Sequence, residues 1–195
     1  MFFKTPALDA SLQELINQQL RSSVLDFLMP VFSNHALFYI LLIPLALWIW
    51  KRYGTRNLWF IAILLLSVGL TDFGTNMVKK SIHRVRPLNA ISGTYFMEDG
   101  EWERRPANFE QTKENGTSYP SAHSANTMCL AVLSLLFWPA LKKWPLLLPL
   151  FVGYSRIYMG KHYPTDVLGG WLFGGVIAVA VWLVCYRLLP KRKPC

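Results

Sequence analysis

Charge is scarce in this 195-residue chain: Asp, Glu, Lys and Arg make up 16% of it, against 53% hydrophobic residues. An ordinary soluble domain carries more, so the composition points to an integral membrane protein. Cysteine is rarer still. Cys129, Cys185 and Cys195 have no metal-like spacing and read as buried small hydrophobes plus a tail thiol. Acids are also few, 11 against 20 Lys and Arg. The basic residues sit in short clusters beside apolar stretches, as topology signals or ligand contacts do, which argues against a nucleic-acid partner. No signal peptide is expected, because Gln13, Glu14, Asn17 and Gln18 interrupt the N-terminal apolar pattern early, and this segment is expected to be retained. There is no internal repeat or low-complexity tract, and residues 1–195 read as a single domain.

The apolar residues that are present are ordered. Leu12, Leu15, Ile16, Leu20, Val24, Leu25 and Leu28 recur at intervals that fit one helical face, which makes residues 1–31 an amphipathic helix. It is too polar to span and is expected at the membrane interface, with packing against the bundle as the alternative. Residues 32–50, 58–78, 125–141, 144–158 and 167–189 have spanning character. The fold expected is all-α, a bundle of about five transmembrane helices, possibly six, since a hydrocarbon core of roughly 30 Å takes about 20 helical residues. Lys51, Arg52, Arg56, Lys142, Lys143, Arg187, Lys191, Arg192 and Lys193 mark the cytoplasmic side. Residues 79–124 and 159–166 then face outward, the segment 88–119 being a charged surface excursion or lid with a turn at Asn115-Gly116. Lys79, Lys80, Arg84 and Arg86 break the charge rule there, and phosphate binding would explain them.

This topology gathers Lys79, Arg86, Ser121, His123, Arg156, His162 and Asp166 on one membrane face. Three cations with a hydroxyl and backbone donors suit a multiply charged oxyanion, and phosphate is the natural guest. Two histidines divide the remaining work: one attacks phosphorus and one protonates the departing oxygen. Asp166, four residues after His162, is in reach of its Nδ1 proton, leaving Nε2 as the nucleophile. Asp72 and Asn76 share a helical face with Lys79 or Lys80 and His83, and a supporting ion-pair or hydrogen-bond network is expected of them, since an unpaired acid within a span is costly.

The spacing reads K-x6-R-P from Lys79 to Pro87, P-S-A-H from Pro120 to His123, and S-R-x5-H-x3-D from Ser155 to Asp166. In that order these resemble the three signature motifs of the type 2 phosphatidic acid phosphatase (PAP2) superfamily, over roughly residues 58–189. The resemblance implies His162 as a nucleophile that becomes phosphohistidine, Asp166 as its orienting partner and His123 as general acid. It implies Lys79, Arg86, Ser121 and Arg156 as a phosphate cradle, with the Ala122 amide as a further donor. Members work without metal or other cofactor. Ala122 departs from the family's usual glycine, and a left-handed backbone there would be costly.

The expected activity is metal-independent hydrolysis of a lipid phosphate or diphosphate, with undecaprenyl diphosphate favoured and phosphatidylglycerophosphate, phosphatidic acid or a lipid A phosphate also fitting. The alternatives are a lipid phosphotransferase using the same phosphohistidine, or a non-catalytic lipid-binding or transport protein. The expected location is a bacterial inner membrane, with the site facing the periplasm or exterior. No residue sets the oligomeric state.

Overall fold

The structure is a computed structural model that describes residues 5–55, 58–111 and 113–188. The predicted cytoplasmic markers Arg56, Lys191, Arg192 and Lys193, and Cys195, lie outside the described residues. The chain is mostly helical, with α1 (Ala7–Glu14), a π-helical turn (Leu15–Gln19), α2 (Ser23–Ser33), α3 (His35–Tyr53), α4 (Trp59–Ile82), α5 (Ala122–Phe137), α6 (Leu147–Tyr158) and α7 (Pro164–Leu188).

The N-terminal segment is not the single helix expected over 1–31. The chain leaves the helix at Leu20, and extended Ser22 starts α2 afresh by accepting the Leu25 amide at 3.3 Å. Its amphipathic character is real, but its faces are the reverse of a soluble protein's. Asp9, Gln13 and Asn17, one helical turn apart, are buried, whereas Leu8 is 72% exposed and Leu12, Leu15 and Leu20 also face outward. A helix that hides its polar stripe and shows its leucines suits a lipid-facing position.

Two segments, Trp59–Asn89 and Pro164–Arg187, are long and apolar enough to cross a membrane among the described residues. The first contains α4 and the second all of α7 but Leu188, and both turn large apolar residues outward, Phe73 being 67% and Leu172 73% exposed. In α6 the 12 helical residues rise only about 18 Å, and α5 stops at Phe137 because Pro139 follows. Towards one end of the bundle Ile49, Leu64, Cys129, Leu133, Phe137, Trp138 and Ala178 form an apolar core.

A β-hairpin departs from the all-α expectation. β1 (Tyr95–Glu98) pairs antiparallel with β2 (Glu101–Arg104) within the segment read as a lid. The turn residues are Asp99 and Gly100, both at positive φ, which is the backbone that a two-residue hairpin turn demands. The hairpin is tied down: Tyr95 exchanges hydrogen bonds of 2.8 Å with the Asn17 side chain, and the Arg21 guanidinium stacks 4.2 Å from the Tyr95 ring and 4.1 Å from that of Trp102.

What sets the site is the contact between α5 and α7. A Cβ at Gly174 would stand 2.0 Å from the Ala125 carbonyl oxygen, and one at Gly170 would stand 2.5 Å from that of Ser121. Two glycines four residues apart thus let the start of α5 lie directly on α7, as small residues do between membrane helices. Gly174→Ala is therefore expected to destabilise the fold by about 1–3 kcal/mol through overpacking against backbone. Gly175→Ala, which meets nothing within 4 Å, should be silent; thermal unfolding of both variants in detergent checks the contrast.

Candidate active site

Three chain reversals bring the site together. α4 ends at His83, whose left-handed φ of 56° turns the chain back, and the next residues carry Arg84 and Arg86 past the start of α7. Residues 116–118 of the long loop double back on them, with Gly116 N–H donating to His83 O at 3.0 Å and Ser118 N–H to Arg84 O at 2.9 Å. A Cβ on Gly116 would meet the Arg84 carbonyl oxygen at 2.6 Å, so this close approach needs glycine. Ser121 then starts α5, and residues 159–163 join α6 to α7.

Lys79, Arg86, Ala122, His123, Arg156 and His162 line one cavity of about 460 Å³. Six of the eight residues expected at the site therefore meet as lining. The other two stand behind it. Asp166 is fully buried at the back of His162, and Ser121, also fully buried, caps α5 with its Oγ accepting from Ser124 N–H at 3.4 Å and Ser124 Oγ–H at 2.9 Å. Its amide donates to Asp166 O at 2.9 Å. Ala122 is the first residue of α5 and is absent from the residues at positive φ among those described, so its methyl group meets no backbone penalty. The helix start directs amides and the positive end of its dipole at the cavity.

His162 is held differently from the expectation. The nearest partner of its Nδ1 is the Ser118 carbonyl oxygen at 2.8 Å, while Asp166 Oδ2 is 3.6 Å away. A carbonyl only accepts, so Nδ1 carries the proton and Nε2 keeps its lone pair. Asp166 fixes the frame instead. Its Oδ2 accepts from Ser118 Oγ at 2.5 Å and Tyr163 N–H at 2.9 Å, and its Oδ1 accepts from Arg84 Nη1 at 2.6 Å. Burial pulls the His162 pKa down to about 4; Asp166 opposes the shift and the Arg156 and Arg86 charges add to it. The imidazole is thus neutral over the physiological range. Lys161, beside it in the loop, also has a lowered pKa, chiefly from burial and then from Arg156 and Arg86.

Arg156 is nearly buried, donates through Nη1 to Ser33 Oγ at the end of α2, and like Arg86 keeps a buried Nε without a hydrogen-bond partner in the protein. Buried donors of this kind are satisfied by an oxyanion. Asp72 is the one carboxylate lining the cavity among the described residues, and it accepts from Asn76 Nδ2 at 3.4 Å, as the shared helical face implied. One acid among three cations does not make a metal site; the donor set suits an anion. Away from the polar end the same cavity is lined by Leu45, Leu64, Val68, Leu130, Leu148 and Val152.

Arg84 was expected among phosphate-binding cations, but its side chain is fully buried and its charge is taken up by Asp166 and Asp9. Asp9, Ser118 and Thr165 were not singled out from the sequence. The only hint was an acid, Asp9, at the head of an otherwise apolar periodicity.

The sequence profile of the PAP2 superfamily matches residues 60–190, more than half of the chain. The chain belongs to the PAP2 superfamily. An undecaprenyl-diphosphatase of Sulfolobus acidocaldarius is 30% identical over 147 residues, 66% of this chain and 64% of that protein. A lipid A 1-phosphatase of Rhizobium etli is 28% identical over 138 residues, 70% of this chain and 56% of the other. This PAP2 chain thus spans less than two thirds of the length of both relatives. The fold is shared with the first transmembrane PAP2 type phosphatidylglycerolphosphate phosphatase from Bacillus subtilis, at a TM-score of 0.67, with 22% identity over 95% of this chain and 88% of that one. It is the fold of an integral membrane protein.

The depressed His162 pKa has a measurable consequence. An unfolded histidine takes its proton near 6.5 and the folded one at about 4. The unfolded state therefore binds more protons in that window, so stability present above pH 6.5 is lost as the pH falls towards 4. Nitrogen-15 NMR of labelled histidines is expected to find His162 as the Nδ1–H tautomer still neutral at pH 5.5, and an imidazolium there would contradict the geometry.

Proposed function

We propose that this protein hydrolyses a lipid phosphate or diphosphate through a phosphohistidine on His162. The observation that carries the reading is the single cavity whose polar end holds His162, His123 and three cations and whose other end is hydrocarbon-lined. A phosphate head and an apolar chain fit such a space together, where a soluble phosphate would leave the apolar end without a partner.

In the first step His162 Nε2 attacks phosphorus, the P–O bond to the leaving oxygen breaks, and His123 donates a proton to that oxygen. In the second, His123 takes a proton from water, the oxygen attacks the phosphohistidine, and the P–N bond breaks to release phosphate and restore Nε2. Lys79, Arg86 and Arg156 hold the nonbridging oxygens, where charge collects in the transition state, and the Ala122 amide at the helix start adds a donor. Ser121 acts here by capping that helix. Asp166 orients the loop that carries the nucleophile.

The favoured substrate is undecaprenyl diphosphate, in keeping with the diphosphatase relative and with the apolar lining at the far end of the cavity. The whole chain acts as one domain with about five spans, in a bacterial inner membrane with the cavity opening to the exterior. The relatives described are both phosphatases by name, which favours water over a second lipid as acceptor.

A panel of undecaprenyl diphosphate, phosphatidic acid, phosphatidylglycerophosphate and lipid A, assayed for phosphate release with a chelator present, tests the proposal. His162→Ala should abolish turnover. Replacing Lys79, Arg86 or Arg156 by Ala should each cost about 2.7–4 kcal/mol of barrier, or roughly 100- to 1000-fold in rate. Exposed Lys80→Ala should retain most activity. Turnover by the His162 variant at the parental rate would refute the mechanism, and labelled phosphate appearing on a second lipid would favour transfer over hydrolysis.

A further inference from the structure

Behind the cavity lies a buried cluster that the two-histidine mechanism does not use. Arg84, with no exposed side-chain surface, donates through Nη2 to Asp9 Oδ2 and through Nη1 to Asp166 Oδ1 at 2.6 Å and Thr165 Oγ1 at 2.7 Å. Its guanidinium lies 4.0 Å from the centre of the Tyr163 ring. Asp9 reaches the start of α7 directly as well: its Oδ1 accepts from Thr165 N–H at 2.9 Å and its Oδ2 from Thr165 Oγ–H at 2.6 Å. A carboxylate on α1 thereby caps the helix that begins just after His162 and shares one arginine with Asp166. Two acids and one base leave this cluster with a net negative charge facing the imidazole from behind.

We propose that Asp9 is a positioning residue for the nucleophile: through Arg84 and Thr165 it locks Asp166 and the start of α7, and so fixes the His162 ring and its Nδ1–H tautomer. The inference rests on the proposed role of His162. Asp9 touches neither the cavity nor the ring; it acts through the residues it holds. The lock joins three segments with no local connection, since Asp9 stands 75 residues from Arg84 and 156 from Thr165. If the lock is released, Asp166 can turn and Ser118, whose Oγ it holds at 2.5 Å, can leave the ring nitrogen. Phosphate would still meet Lys79, Arg86 and Arg156. The signature is therefore a fall in kcat with KM preserved.

The test compares full-length wild type, Asp9→Asn and the milder Thr165→Val, purified as monodisperse protein in detergent, with farnesyl diphosphate and dioctanoyl phosphatidic acid as probes. Asp9→Asn removes the charge and keeps the shape; Thr165→Val strips one hydroxyl from the lock and buries no unpaired charge. Displacement of a reacting group by about 1 Å costs on the order of 100-fold, so a fall in kcat of about 10- to 100-fold is expected for Asp9→Asn and a smaller one for Thr165→Val, with KM within about twofold. Nitrogen-15 spectra should show His162 as pure Nδ1–H in the wild type and as a tautomer mixture in the variants. Parental kcat with an unaltered tautomer in Thr165→Val, or in Asp9→Asn where it folds, overturns the proposal, as does a loss confined to KM. If the wild type itself releases no phosphate, the hydrolase reading fails instead, and the tautomer alone decides the lock: a ring that stays pure Nδ1–H in the variants refutes it.

Discussion

An arginine sealed from solvent must be neutralised where it stands, and Arg84 is the charge around which this end of the molecule is built. Its side chain has no exposed surface and its two carboxylate partners, Asp9 and Asp166, are almost as deeply buried. Removing one member of such a cluster costs about 3–5 kcal/mol, because the survivor is left charged and dry. That requirement forces α1, the exit of α4 and the start of α7 into one arrangement. The loop 159–163 has little freedom left, since its two ends are set by α6 and by the capped start of α7.

On the other side of the same loop the electrostatics are reversed. Among the described residues, Lys79, Arg86 and Arg156 share a cavity with one carboxylate, Asp72, and no acid is paired with Arg156, whose Nη1 donates to Ser33. Like charges in a space shielded from water repel one another, and only an anion relieves them. Binding of the proposed phosphate would accordingly stabilise this end of the fold, since a ligand that favours the folded state stabilises it by mass action. The two charge systems meet at His162: the Ser118 carbonyl accepts from its protonated nitrogen while the Ser118 hydroxyl is held by Asp166 of the negative cluster, and the ring lines the positive cavity.

How much of this could be read from the residues follows from the distances involved in sequence. His162 and Asp166 lie four apart, and P-S-A-H sits at a helix start, so the residues of the candidate site were visible locally. The precise partner of Nδ1 was not, because the Ser118 carbonyl is 44 residues away and a backbone oxygen leaves no mark on side-chain pattern. Asp9 was hidden for the same reason. The leucine periodicity around it announced a helix but not which face would turn inward, since that depends on whether the surrounding medium is water or lipid. The hairpin had its signal in Asp99-Gly100, yet strands of four residues rich in Glu and Arg read as a charged loop. Helix ends shifted where proline intervened, as at Pro139.

The reversed faces of α1 connect these points. In water, a helical segment exposing Leu8 and, in part, Leu12 and Leu15 while burying Asp9, Gln13 and Asn17 would be disfavoured, since apolar area contributes about 25 cal/mol per Å² when removed from water and these leucines would gain only part of it. In a bilayer the leucines find hydrocarbon, and two residues of the polar stripe find their partners inside the protein: Asp9 on Arg84 and Thr165, Asn17 on the carbonyls of Tyr95 and Tyr158. Lipid thus presses α1 onto the site with its polar face inward. The medium that would carry the chain of the proposed substrate also holds in place the carboxylate behind His162, so the order of the site is a property of the protein together with its membrane.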